Sequence, residues 1–361
     1  MKTIFWLAMT VALLSAAAYT TTRSHTPPIK DRDGRVRPES VASLERVNLG
    51  GREQYVLIRG ANRSNPVLLF LHGGPGMPVM YLSHAFQRPW EEDFVVVQWD
   101  RRGAGKSYDS QLPPQTINVE QEIADTLELT NLLRQRFHQD RIYLLGHSYG
   151  SYLGMLVVWR FPEPFHAYVG VGQMACSKER SRQIQDHWIR REAVGAGNQR
   201  ALKQLNGKEP LDREKWLFEF GGEVHGQKSW LPFLFIGLRS PEYSLIDAMR
   251  IAGGVNFTHR HMRYNAIAGD LMDAVTEVKV PVYFFTGRYD YTVPFQCTQE
   301  YFRRINAPAK QLVWFDNSAH FPFLEEPQKF REELKKVTRD TRISDGGDDG
   351  GDELRASADR R

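Results

Sequence analysis

The chain has 361 residues, 41% of them apolar and 25% charged, with a formal net charge of +4. That is the balance of an ordinary globular protein long enough for one large core with an insertion, so disorder is not the default. The small charge, with no long basic run in the part expected to be ordered, excludes a nucleic-acid signature.

The N-terminus carries Lys2, an apolar run from Ile4 to Leu14, then small residues including Ala16 and Ala18. This pattern is that of a secretory signal peptide over residues 1–18. An uncleaved signal anchor is the alternative, although the run is short for a span of about 20 residues. Either reading places the rest of the chain outside the cytoplasm, with membrane contact only if the segment stays uncleaved. Residues 19–45, polar and proline-containing up to about Ser40, read as a linker. The two cysteines, Cys176 and Cys297, match no metal spacing. A disulfide and two unpaired thiols both fit an exported chain.

From there strand and helix alternate. "EQYVLIRG" and the stretch before it form a first hairpin. "NPVLLFLHGG" and "DFVVVQWDRRG" are continuous apolar runs, as doubly covered parallel strands should be. "EIADTLELTNLLRQRF" has helical spacing. "RIYLLGHS" is a strand, "YLGMLVVWRFP" a helix ended by Pro162, and "FHAYVGVG" a strand again. Residues 176–277 break the alternation. They are charged, mainly helical and rich in aromatics: Trp188, Trp216, Phe218, Phe220, Trp230, Phe233 and Phe235. They read as a helical cap whose aromatics form its own core or line a pocket. "KVPVYFFTGRYD" and "KQLVWFDNSAH" are two further strands, and "EEPQKFREELKKV" is a last helix, completing a second core part over 278–338. Residues 339–361, rich in Gly and Asp, read as a disordered tail. The expected class is α/β: a mostly parallel central sheet with a cap inserted between its two parts, 46–175 and 278–338.

Chemistry concentrates at the strand ends. Gly146-His147-Ser148-Tyr149-Gly150 matches G-x-S-x-G between a strand and a helix, the context of a nucleophile elbow. A serine hydroxyl needs a base, and His320 follows the final strand. The histidine needs a carboxylate. Asp290 directly follows the strand before, whereas Gln173, Met174 and Ala175 after the "FHAYVGVG" strand offer none. The order Ser148, Asp290, His320 is the one this elbow takes with its triad. A tetrahedral oxyanion needs N–H donors. In "LHGGPG", His72, Gly73 and Pro75 shape a loop that presents the Gly74 amide, and the Tyr149 amide is the second donor.

Five segments, "HGGPG", "WDRRGAGKS", "GHSYGS", "GRYDYTVP" and "SAHFPFLEEP", together resemble the proline iminopeptidase family, a capped branch of the α/β-hydrolase fold. The resemblance covers about Val47–Ala175 and Val278–Val337. It implies that Asp100 and Arg102, in the D-x-R-G-x-G-x-S segment, support the oxyanion loop rather than touch substrate. Two departures stand out. His147 and Tyr149 replace the second glycine and the tryptophan of the family's usual G-G-S-W-G. The cap also lacks the family's Trp-Glu pair for the substrate amine. The one such pair, Trp90-Glu91, precedes a core strand, while Glu192, Glu219, Glu223 and Glu242 are unassigned stand-ins. The expected activity is hydrolysis of a small amide or short peptide at a free N-terminus, without cofactor or metal. A carboxylic ester is the near alternative, a C–C hydrolase would use the same triad, and a ligand-binding protein on this fold is the alternative of another class. Oligomeric state is left open.

Overall fold

A computed structural model describes residues 24–344. The strands are β1 (Val41–Leu49), β2 (Arg52–Gly60), β3 (Val67–Leu71), β4 (Val95–Asp100), β5 (Ile142–His147), β6 (Phe165–Val171), β7 (Val282–Gly287) and β8 (Lys310–Phe315). They form one sheet of 8 strands in the order β1-β2-β4-β3-β5-β6-β7-β8. β1 and β2 pair antiparallel, as do β2 and β4; every other pair is parallel.

Side-chain alternation along a strand puts the two faces under two separate cores. Leu69, Leu71, Val95 and Val97 pack into one, while Leu68, Phe70, Val96 and Leu145 pack into the other. This is why β3 and β4 read as unbroken apolar runs. The covering helices of the first part are α1 (Val119–Phe137) and α2 (Tyr149–Arg160). The Asn118 side chain caps the start of α1 by accepting from the Gln121 N–H.

Between β6 and β7 the cap contributes α3 (Lys178–Gly195), α4 (Gln199–Leu205), α5 (Arg213–Glu219), α6 (Leu231–Leu238) and α7 (Leu245–His261). Trp188, Trp216 and Leu217 form a cap core that also takes in Tyr291 from the sheet side. α7 begins with a reciprocal box in which Ser244 and Asp247 satisfy each other's backbone N–H groups. α8 (Phe295–Arg304) and α9 (Pro327–Ser344) complete the second part.

Three expectations need revision or completion. The linker expected over 19–45 is structured from residue 24 onward, and β1 already begins at Val41. Its polar groups serve buried charges instead of water: Arg59 donates to the Thr26 hydroxyl and the Pro27 carbonyl, and Lys106 donates to the Ser24 hydroxyl. The last helix runs to Ser344 and not to 338, because Thr341 is buried and bonds the Tyr143 hydroxyl at 2.7 Å. Cys176 and Cys297, left open by the sequence, are joined in a disulfide with Cα atoms 5.6 Å apart. The segment assigned to residues 1–18, and residues 345–361 of the tail expected over 339–361, lie outside the described residues.

The disulfide closes a loop with a sequence separation of 121, tying the start of the cap to α8. Closing a loop of this length should stabilise the fold by about 2–4 kcal/mol. Denaturant titration of a Cys176→Ser, Cys297→Ser double variant checks it. A loss below about 0.5 kcal/mol would remove the bond from the stability argument.

Candidate active site

The site lies where β3, β5, β6, β7 and β8 end. β5 runs directly into α2, leaving one residue for the turn. Ser148 takes φ 56° and ψ −123°, a conformation that costs a non-glycine residue of order 1–3 kcal/mol. A Cβ at Gly150 would collide with the Leu71 carbonyl, and one at Gly146 with the Gly150 carbonyl. The glycines flanking the serine are therefore steric requirements of a helix packed against β3. The Ser148 N–H donates to the Val171 carbonyl at 2.9 Å, which pins the turn to the end of β6. The neighbouring hydroxyl, Ser151 Oγ, is buried and donates to the Ser148 carbonyl at 2.5 Å.

Asp290 and His320 come together from the loops after β7 and β8. His320 Nδ1 donates to Asp290 Oδ2 at 2.9 Å, and both residues are buried. Asp290 Oδ1 accepts from the Val293 N–H at 2.9 Å, so each carboxylate oxygen has its own partner. Burial alone would lower the His320 pKa; the Asp290 carboxylate, together with Glu223 and Glu325, raises it, and the net shift is upward. Gly172, the residue after β6, faces this pair: a Cβ there would sit 3.0 Å from both Asp290 Oδ2 and His320 Nδ1. The Ser148 N–H is bonded to the adjacent Val171, so the serine turn and the Asp290–His320 pair both lie at the end of β6. No hydrogen bond joins Ser148 Oγ to His320 among the described residues.

Two residues that the motif leaves as variables hold this geometry. His147 Nε2 donates to the His320 carbonyl at 2.8 Å, and burial lowers the His147 pKa well below its usual value, keeping the ring neutral. The Tyr149 hydroxyl donates to Glu122 Oε2 at 2.7 Å beneath the elbow. Glu325 was not singled out by the sequence. Its carboxylate accepts from the Ala319, Phe321 and His225 N–H groups at 2.7–3.1 Å, clamping both sides of His320 to the cap. Its position five residues after the histidine was the available signal.

The Leu71–Gly76 loop passes over the serine. A Cβ on Gly73 would lie 3.5 Å from Ser148 Oγ. His72 Nδ1 donates to the Gly73 carbonyl at 2.8 Å, and the Pro75 carbonyl accepts from Thr258 Oγ1 of α7 at 3.0 Å. The Gly74 and Tyr149 N–H groups have no acceptor among the described residues. The loop support expected from Asp100 and Arg102 falls elsewhere. Asp100 accepts from the Lys106 N–H and the Tyr243 hydroxyl. Arg102 pairs with Asp125 at 2.9 Å and donates to the Leu49 and Gly50 carbonyls of the first hairpin. Arg101 reaches the loop instead: its backbone N–H donates to His72 Nε2 at 3.2 Å and its guanidinium to the Gly73 carbonyl at 3.3 Å. Successive residues leaving β4 face opposite ways, so adjacent arginines serve opposite sides.

The four cap glutamates separate by environment. Glu192 pairs with Arg191, Glu219 accepts from Asn198, and Glu242 is buried against Arg88. Glu223 lies at the site: its carbonyl accepts from the His320 N–H at 2.9 Å. Burial pushes its carboxyl up to about 7, with His320 pulling the other way. Of the aromatics expected to line a pocket, Trp188 and Trp216 are in the cap core. Trp230 and Phe233 wall a cavity of about 870 Å3 whose lining also includes Met77 and Tyr81, just after the His72–Gly76 loop. Among the described residues no His, Cys, Asp and Glu cluster has the form of a metal site.

Comparison with known proteins agrees with this architecture. A model of the alpha/beta hydrolase family matches residues 68–333. The probable aminopeptidase YbaC of Bacillus subtilis is 32% identical over 312 residues, 83% of this chain and 98% of that protein. A proline iminopeptidase of Heyndrickxia coagulans is 23% identical over 78% of this chain and 93% of its own. The crystal structure of a Mycobacterium smegmatis proline iminopeptidase is similar with a TM-score of 0.60 at 18% identity, covering 84% of this chain and 100% of that one. At that identity the likeness shows the fold alone. The chain is a hydrolase and belongs to the α/β hydrolase family, in its proline iminopeptidase-like branch.

Proposed function

We propose that this protein is a serine aminopeptidase, cleaving small amides or short peptides at a free N-terminus. The observation that carries the reading is the buried Asp290–His320 contact of 2.9 Å beside a serine on a strained strand-to-helix turn. Ser148 Oγ attacks the acyl carbon and its proton passes to His320 Nε2. Asp290 keeps the other nitrogen protonated and stabilises the imidazolium. The Gly74 and Tyr149 N–H groups receive the oxyanion. His320 returns its proton to the leaving amine, and a water activated by the same ring releases the acid.

Glu223 supplies the amine site. A substrate ammonium brought under the cap needs a carboxylate, because an unpaired buried cation is costly. The names of the relatives support a peptidase. Prolyl and alanyl arylamides, free and N-acetylated, test the assignment. Acetylation should cut kcat/KM at least about a hundredfold, and Glu223→Gln should bring the two within about tenfold of each other. Amine binding needs an ionised Glu223, so kcat/KM for free-amine substrates should rise with pH through about 7. The neutral His320 requirement adds a second rise in the same direction, and only that second rise should remain for aryl esters. Equal cleavage of free and acetylated substrates by the unaltered enzyme would leave no amine site. The apolar cavity behind Met77 favours a carboxylic ester as the second reading. The proposal extends to export, which the Lys2–Leu14 segment and a cystine suited to oxidising compartments support.

A further inference from the structure

The cap carries an apolar surface that the core does not cover. α6 reads Leu-Pro-Phe-Leu-Phe-Ile-Gly-Leu, without one polar side chain, and none of its residues is buried. Leu234, Phe235 and Leu238 are each more than half exposed, and Met249 of α7 is 72% exposed. Trp230, Leu234, Leu238 and Leu245 share the walls of one cavity, so α6 and the start of α7 present one continuous face. Single exposed apolar residues are ordinary, but a contiguous face of this kind marks an interaction site.

The charges of the same stretch are one-sided. Between Gly226 and Arg263 the acidic residues are Glu242 and Asp247, both buried and paired with Arg88 and Lys106. Lys228, Arg239, Arg250 and Arg260 are exposed. The charged side chains that this stretch itself exposes are therefore all positive.

We propose that this face docks on the surface of an anionic phospholipid bilayer. An apolar helix face rimmed by cations suits the headgroup boundary, where the apolar side chains leave water and the cations meet lipid phosphates. A protein partner is the poorer match, because protein interfaces combine an apolar centre with direct hydrogen bonds, and α6 offers no side-chain donor or acceptor. No helix among the described residues is long and apolar enough to cross a membrane, so the contact is with its surface. The entry of the chain points the same way. The His25 N–H donates to the Pro241 carbonyl at 2.8 Å, between α6 and α7. The residues before it include the apolar run Ile4–Leu14. Attachment of that run to a bilayer would bring the cap face to the same bilayer.

The test must report on the face and not on the N-terminal run. Both native cysteines are in the disulfide, so a new thiol can be labelled alone. The full chain with Leu234→Cys carries a polarity-sensitive fluorophore. A control carries it at Gln135→Cys, exposed on α1 toward the opposite end of the sheet. Phosphatidylglycerol-rich vesicles should raise and blue-shift emission at position 234 and leave position 135 unchanged. Lys228→Gln with Arg239→Gln should weaken the response about twenty-five-fold, at about fivefold per cation. The same response in a Ser148→Ala background separates docking from catalysis. Three results would overturn the proposal. One is no change at position 234. Another is a change that ignores the two cations. The third is a label already in an apolar environment without vesicles, which would mean that a second copy or residues 1–23 cover the face.

Discussion

Replacing Ser148 by alanine is expected to reduce hydrolysis by about 10⁴- to 10⁶-fold while the protein stays folded. The Ser148 hydroxyl makes no hydrogen bond within the described protein, so its loss leaves no buried group unsatisfied. Alanine must still adopt the positive φ that the turn imposes, as serine already does, so the denaturation midpoint should move little. No nearby hydroxyl stands ready as a substitute nucleophile. Ser151 is buried and its Oγ is committed to the Ser148 carbonyl. A fluorophosphonate should label the unaltered protein at Ser148 and leave the variant unlabelled. Residual activity within about tenfold of the parent, or labelling at another serine, would take Ser148 out of the mechanism.

The second large effect belongs to Asp290→Asn, for which a loss of about 10⁴-fold in kcat is expected. The two oxygens of Asp290 have different partners: Oδ1 accepts from the Val293 N–H and Oδ2 from His320 Nδ1. An asparagine can keep the first bond only by turning its amide nitrogen toward His320. His320 Nδ1 must then accept, its proton moves to Nε2, and the nitrogen facing Ser148 can no longer act as base. The pH profile separates this effect from misfolding. Asp290 is the main influence raising the His320 pKa against burial. Its removal should shift the rising limb of the residual activity to lower pH. A nearly silent substitution would show that another carboxylate serves His320, and Glu223 would be the first to examine.

The parts of the site readable from sequence are those that lie at strand ends. Ser148, Asp290 and His320 each follow an apolar run, and a parallel sheet brings such ends to one edge whatever the intervening chain does. The sheet itself was equally legible, because β3 to β8 are short apolar segments separated by helical or turn-forming stretches. The side chains of His147 and Tyr149 stood out in the sequence only as departures from a family pattern, although the Tyr149 amide was expected to serve as a donor. The structure gives them work: one holds the His320 carbonyl and the other anchors the elbow to Glu122.

What tertiary structure alone decided are the relations that depend on which groups become neighbours. Arg101 and Arg102 are adjacent and chemically identical, and only the facing of each at the end of β4 sends one to the Leu71–Gly76 loop and the other to the first hairpin. Glu223 is one of several cap glutamates until folding sets it beside His320. Residues 24–27 look solvated because they are polar, yet they satisfy Arg59 and Lys106 in the interior. α6 shows the converse. Its composition is that of a buried helix, but burial depends on what packs against a segment as well as on its hydropathy, and the fold leaves this helix facing outward.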